Sequence, residues 1–321
     1  MTIVILTAFT LVAFAANSLL CRMALGEDMI DPVSFTALRL ISGALALILL
    51  SRLTREFKTQ RETAGSWGSG FSLFVYAIAF SIAYVSLDTG MGALILFGSV
   101  QVTMIGIALK SGENLGAAQW IGFAAAVSGL MYLVMPGISA PEPLGALLMC
   151  IAGIAWGVYS IRGKGVSSPV TMTAGNFTRS APMAIIASVS AYSAIHMEPF
   201  GIMLALISGI LTSGLGYVLW YKALRGLTTT QASVVQLLVP VLAAFGGVAF
   251  LSEKLPARLI VASALILGGV ILAVTKRSVK ETKRRANLIT ACNRSRVERT
   301  QQKVGGKGLA CRSATAPDDQ C

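Results

Sequence analysis

The chain is a succession of apolar runs near 20 residues long, and no run interior contains Asp or Glu. Ten such runs can be drawn, near 2–21, 33–51, 66–86, 91–109, 115–135, 144–161, 171–194, 200–221, 229–251 and 257–275. As a helix rising about 1.5 Å per residue, a run of this length crosses the hydrocarbon core of a bilayer. Lipid offers the backbone no water, so each run must satisfy its own N–H and C=O groups, as a helix does. Strands of a membrane barrel would alternate apolar and polar residues, and these runs do not. Composition argues against a soluble bundle: 12% of residues are charged, against about 25% in a typical soluble domain. The predicted fold is therefore all-α and integral to the membrane, with ten transmembrane helices. Ala13-Phe14-Ala15 mimics a signal-cleavage site, but no Lys or Arg precedes the first run, which is read as an uncleaved helix.

An internal repeat organises these runs. Offsetting by 140 residues superposes Gly106 on Gly246, Glu113 on Glu253, Leu115 on Leu255, Ala124 on Ala264 and Gly129 on Gly269. At an offset of 137, Asp31-Pro32 meets Ser168-Pro169, Arg39 meets Asn176, Phe80 meets Tyr217 and Tyr84 meets Tyr221. A period this long in apolar sequence predicts a duplicated membrane unit. Five helices per copy is an odd number, so the copies must enter the bilayer in opposite senses, as two inverted five-helix repeats. Residues 1–136 form the first and 143–275 the second, with 276–321 a basic, disordered cytoplasmic tail. Counting Lys and Arg outside the spans gives nine in one set of loops and three in the other, and the tail's 12 fall with the nine. The positive-inside rule then puts both termini in the cytoplasm.

Ten helices, a five-plus-five inverted duplication, Ala37-Leu38-Arg39 in helix two and a Glu opening helices five and ten resemble the drug/metabolite transporter superfamily, and within it the EamA-like exporters. Trp156-Gly157 in the second half keeps a pair seen in these proteins, whereas the matching stretch of the first half reads Ala15-Ala16-Asn17-Ser18. The resemblance covers residues 1–275. It implies a secondary transporter of the cytoplasmic (inner) membrane that exports a small solute.

The candidate binding residues are the polar and aromatic groups inside the spans. Arg39 and Arg179 are the two charges left in the runs, where insertion costs about 2.5–3.5 kcal/mol at the bilayer centre. Arg39 is near enough to a helix end to snorkel to the interface. Arg179 is deeper, one turn before Pro182; both arginines read first as hydrogen-bonding backbone carbonyls and locking helices together, and Arg179 before Arg39 as a contact for a substrate carboxylate or phosphate. Asn17, Gln101, Tyr159 and Gln236 lie on helices one, four, six and nine, with Asn176 on helix seven as the repeat partner of Arg39. Pro240 deprives the Gln236 carbonyl of its helical donor, which leaves a backbone acceptor at mid-membrane. Phe80 and Tyr84 on helix three, Trp156 on helix six, and Tyr217 and Trp220 on helix eight supply ring faces for a cavity wall. Glu113 and Glu253 read as caps on the helices they open, and Gly153 and Gly157 as sites of close helix approach.

Several functions are disfavoured. No carboxylate lies inside a span, which argues against a carboxylate proton relay of the kind that drives expulsion of cationic drugs. An intramembrane enzyme would need a nucleophile–base pair or metal ligands facing water; the one histidine, His196, sits at a helix end, and the cysteine spacing fits neither zinc nor a disulfide framework. Gly157-x5-Gly163-Lys164-Gly165 misses the phosphate-loop spacing and its terminal hydroxyl. No cofactor is expected. The partners expected are a small-molecule substrate, the bilayer, anionic lipid headgroups against the +8 tail, and at most a second copy in a homodimer; nucleic acid is not among them. A nucleotide-sugar or phosphometabolite carrier and a non-transporting receptor or scaffold are the alternatives.

Overall fold

Proline and carboxylate caps set where half of the helices begin. A computed structural model describes residues 2–53, 65–110, 117–135, 141–227, 232, 235–269 and 271–272. Its helices are labelled α1 (Thr2–Gly26), α2 (Pro32–Leu53), α3 (Trp67–Ser86), α4 (Thr89–Lys110), α5 (Ala117–Val134), α6 (Pro143–Arg162) and α7 (Pro169–Ser190). They continue with α8 (Pro199–Leu224), α9 (Leu238–Leu251) and α10 (Ala257–Gly269). Pro32, Pro143, Pro169 and Pro199 each open a helix, where the missing N–H costs nothing. Asp31 Oδ1 accepts from the amides of Val33 (3.0 Å) and Ser34 (2.8 Å) at the start of α2. Glu142 does the same for Leu144 and Gly145 at the start of α6, and those two N–H groups hold its carboxyl below the ordinary range.

Six helices (α1–α4, α6 and α8) are long and apolar enough to cross a membrane. The described parts of α5, α9 and α10 are shorter, and α7, with Arg179, Asn176 and Pro182, is the least apolar of the long helices. The expected boundaries hold within about five residues where the chain is described; the expected start of helix nine at 229 and end of helix ten at 275 lie outside the described residues. Ala232, Val235 and Gln236 are helical, and a turn at Leu237 precedes α9, two residues before Pro240. Glu113, the basic loop around Arg61 and the tail lie outside the described residues.

The molecule is apolar outside and polar within. Val4, Phe9, Ile186, Phe245 and Phe250 are largely exposed, whereas Asn17, Arg39, Gln101, Asn176 and Gln236 are buried. Surface hydrophobes on this scale mark a protein whose solvent is lipid. Several helix crossings in the first half of the chain have counterparts in the second half. Helix α3 lies on α6 and α7 as α8 lies on α1 and α2; α4 lies on α6 as α9 lies on α1; and α2 meets α7 as α4 meets α9. Close approach needs glycine at two crossings. A Cβ on Gly153 of α6 would come 2.5 Å from the Leu96 carbonyl of α4, and one on Gly209 of α8 would collide with the Arg39 carbonyl of α2.

At the end carrying the α1–α2, α3–α4, α7–α8 and α9–α10 connections, two clamps join elements distant in sequence. Glu253 accepts from the Thr89 amide (2.9 Å) and hydroxyl (2.8 Å) and lies 3.6 Å from Arg22, which also donates to the Tyr84 and Val85 carbonyls ending α3. Asp31 accepts from the His196 amide, and Ile30 bridges to Met197. Glu253 therefore caps α4, where the positive helix end favours a carboxylate. The expectation that it caps its own helix is corrected, since α10 begins four residues later at Ala257.

Candidate functional site

The side chains that meet at the centre are organised by Arg39. It projects from α2 into the core, only 1% exposed. Its Nε donates to Ser213 Oγ (2.8 Å), and Nη2 donates to the hydroxyls of Tyr76 (3.2 Å) and Tyr217 (2.8 Å). The guanidinium also lies 5.2 Å from the ring centroids of Tyr76 and Phe80, within reach of cation–π attraction. Tyr76 and Phe80 belong to α3, Ser213 and Tyr217 to α8, and the offset of 137 that pairs Phe80 with Tyr217 also pairs Tyr76 with Ser213. One guanidinium thus touches two positions of α3 and the two positions of α8 that lie 137 residues further on. Nη1 is buried without a hydrogen-bond partner among the described residues. No Asp or Glu among them lies within ion-pair distance of Arg39.

Asn17 of α1 ties this centre to an irregular stretch of α8. Its Oδ1 accepts from Ser208 (2.8 Å), Thr212 (3.0 Å) and Ser213 (3.4 Å), and its amide reaches the Tyr76 hydroxyl at 3.5 Å. Residues Ser208–Leu215 are wound as a π-helix between two α-helical segments. Such a bulge widens the turn by one residue and recurs at functional sites. Here it presents three hydroxyls to Asn17 and one of them, Ser213, to Arg39.

Aromatic rings complete the wall. Trp156 stands 4.7 Å from Tyr217, 5.0 Å from Tyr76 and 5.4 Å from Phe14 between ring centroids, and Trp220 packs 5.8 Å from Phe14. Between them lies a cavity of about 10 Å³, lined by Phe14, Asn17, Ser18, Tyr76, Phe80, Leu96, Phe97, Trp156 and Tyr217. It holds roughly one water, so the centre is occluded in this conformation.

Of the residues expected to bind, Asn17, Arg39, Phe80, Trp156 and Tyr217 converge here, with Trp220 behind Phe14. Gln236 accepts from the Trp156 indole at 3.4 Å, one step back from the cavity. Tyr159 is stacked on Tyr221 and accepts from the Asn176 amide at 3.4 Å, and Asn176 Oδ1 accepts from the Ser66 amide. Tyr84 packs edge-on to Phe80 and donates to the Thr89 carbonyl at 3.3 Å, toward the clamped end. Gln101 is buried on α4 and does not line the cavity.

The structure places Arg39, and not Arg179, at this centre. Arg39 does not snorkel, because hydroxyls of two other helices hold it inside. Arg179 is only half-buried and donates to the Gly175 carbonyl on its own helix, at 2.9 Å. Phe14, Tyr76, Ser208, Thr212 and Ser213 were missing from the expected set. Their signal is the polar run Ser208-Gly209 and Thr212-Ser213-Gly214 inside an otherwise apolar helix, and Tyr76 four residues before Phe80 on one face.

A polar, cationic centre enclosed by apolar-surfaced helices is the arrangement of a multi-pass membrane transporter. The chain belongs to the EamA-like transporter family, whose model matches residues 143–275. It is 49% identical over 273 residues to an uncharacterised Pseudomonas aeruginosa protein, covering 85% of this chain and 94% of that one. Similarity extends to the threonine/homoserine exporter RhtA of Escherichia coli K12, 30% identical over 77% of this chain and 84% of the exporter. The uncharacterised transporter YoaV of Bacillus subtilis is 24% identical over 78% and 89%. A crystal structure at 21% identity has the same fold, with a TM-score of 0.58 over 83% of this chain and 98% of its own.

Proposed function

We propose that the protein is a secondary carrier that exports a small polar metabolite, an amino acid or related organic anion, by alternating access. The observation that carries this reading is the Arg39 centre, a buried cation with an idle donor beside an occluded cavity in a member of a transporter family. The relative named as a threonine/homoserine exporter supports both the solute class and the direction. Residues 1–136 and 143–275 act as two inverted five-helix repeats of ten transmembrane helices. The recurring crossings and the contacts of Arg39 on both α3 and α8 favour that duplication. The carrier sits in the cytoplasmic membrane with both termini inside, in line with the nine-to-three distribution of loop cations.

Rocking of the two bundles about the midplane would expose the centre to each side in turn. The test is flux. Full-length protein in proteoliposomes, loaded with labelled amino acids, organic anions, sugars and amines, is expected to release at least one solute faster than protein-free vesicles. Release equal to that of empty vesicles for every solute would remove the proposal.

A further inference from the structure

We infer that the transported solute bears one carboxylate, and that Nη1 of Arg39 receives it. This inference rests on the carrier reading and narrows it to a substrate class. A guanidinium has five N–H donors. In Arg39 the Nε donor goes to Ser213 and the two Nη2 donors to Tyr76 and Tyr217, while both Nη1 donors are idle among the described residues. Burying a charge costs several kcal/mol unless a counter-charge and hydrogen bonds offset it. Around Arg39 every described hydrogen-bond acceptor is a neutral hydroxyl. The site is a built half of an ion pair.

The cavity places the other half. Tyr76 and Tyr217 line it and hold Arg39 through their hydroxyls, so the guanidinium is one phenol away from the space a solute would occupy. When the helices part, those hydroxyls can turn aside and a carboxylate can meet the guanidinium side-on, the geometry that makes Arg–carboxylate contacts strong. Stoichiometry of charge selects the class. One uncompensated positive charge balances one negative charge, and none of the nine lining residues is ionisable to a second cation. A dianionic phosphate ester would leave a negative charge buried. A carboxamide would leave the cation bare. The rest of the solute would meet the Asn17 amide and the faces of Phe14 and Trp156, which suit a compact polar or cationic group.

The experiment uses the full-length chain in proteoliposomes with matched probes: L-threonine, L-homoserine and L-lactate, their carboxamides, and O-phospho-L-threonine. Efflux of at least one monocarboxylate is expected to exceed that of its carboxamide and of the phosphate ester by tenfold or more. Arg39→Gln is expected to lose that efflux tenfold or more, with Arg39→Lys in between, since an ammonium keeps the charge and loses the planar fork. If Arg39→Gln does not fold, the comparison of acid with amide in the wild-type protein decides alone. Carboxamides or phosphate esters moving as fast as the acids would overturn the inference, as would wild-type efflux by a folded Arg39→Gln. Neutral sugars moving while the acids do not would overturn it and leave the carrier standing. Absence of flux for every solute would sink both.

Discussion

At the scale of single residues, the contrast between Arg39 and Arg179 shows how a charge in a membrane helix is made useful. Both begin as Arg in an apolar run. Arg179 is half-buried and donates to the Gly175 carbonyl of its own helix. Arg39 is held by three hydroxyls from two other helices and has donors to spare. Its neighbour Asn17 is the acceptor on which the hydroxyls of α8 converge. Asn17→Leu is expected to leave two or more of those hydroxyls poorly paired, at a cost of about 1–3 kcal/mol. The check is the thermal unfolding midpoint of purified protein in detergent. An unchanged midpoint would mean the amide does not hold α1 to α8.

At the scale of elements, the π-helical stretch of α8 decides which way Tyr217 faces. An α-helix turns about 100° per residue, so removing one residue from this stretch would swing Tyr217 relative to Ser208 by about that angle. Deletion of Leu211, which is exposed, is expected to yield a membrane-inserted protein that no longer transports. Transport at the wild-type rate would show that the bulge is incidental. The crossing of α2 and α8 is equally exacting, because a Cβ on Gly209 would also collide with Ser42 Oγ. Gly209→Val is expected to destabilise the protein by about 1–3 kcal/mol through overpacking, read from the same unfolding midpoint. Substitution at the open Gly106, which has nothing within 4 Å, is the control.

At the scale of the whole molecule, the clamps at Glu253 and Asp31 close one end of the protein over the occluded centre. Arg22, Thr89 and Glu253 join α1, α4 and the α9–α10 connection, so an alternating-access cycle must break them whenever that end opens. Cys21, fully buried and next to Arg22, is a native reporter of that opening. In a chain whose other four cysteines are replaced by serine, maleimide labelling of Cys21 is expected to be slow and to speed up several-fold in Glu253→Gln. Equal labelling rates in the two proteins would remove the clamp from the cycle.

Hydrophobic run length and the sparse 137- and 140-residue echoes were enough to place most helices within a few residues and to point to five site residues that meet at the centre. They suffice because lipid forces every span to satisfy its own backbone, so apolar length translates directly into helix. What the linear chain could not state is which polar group faces which. Asn17, Arg39 and Ser213 are separated by up to 196 residues, and only the crossing of α1, α2 and α8 brings them together. Glu253 could be read as a helix cap, but its target lies 164 residues away on another helix. Burial of Arg39 with two idle donors is likewise a property of packing, since whether a charged side chain snorkels or stays depends on what its neighbours offer it.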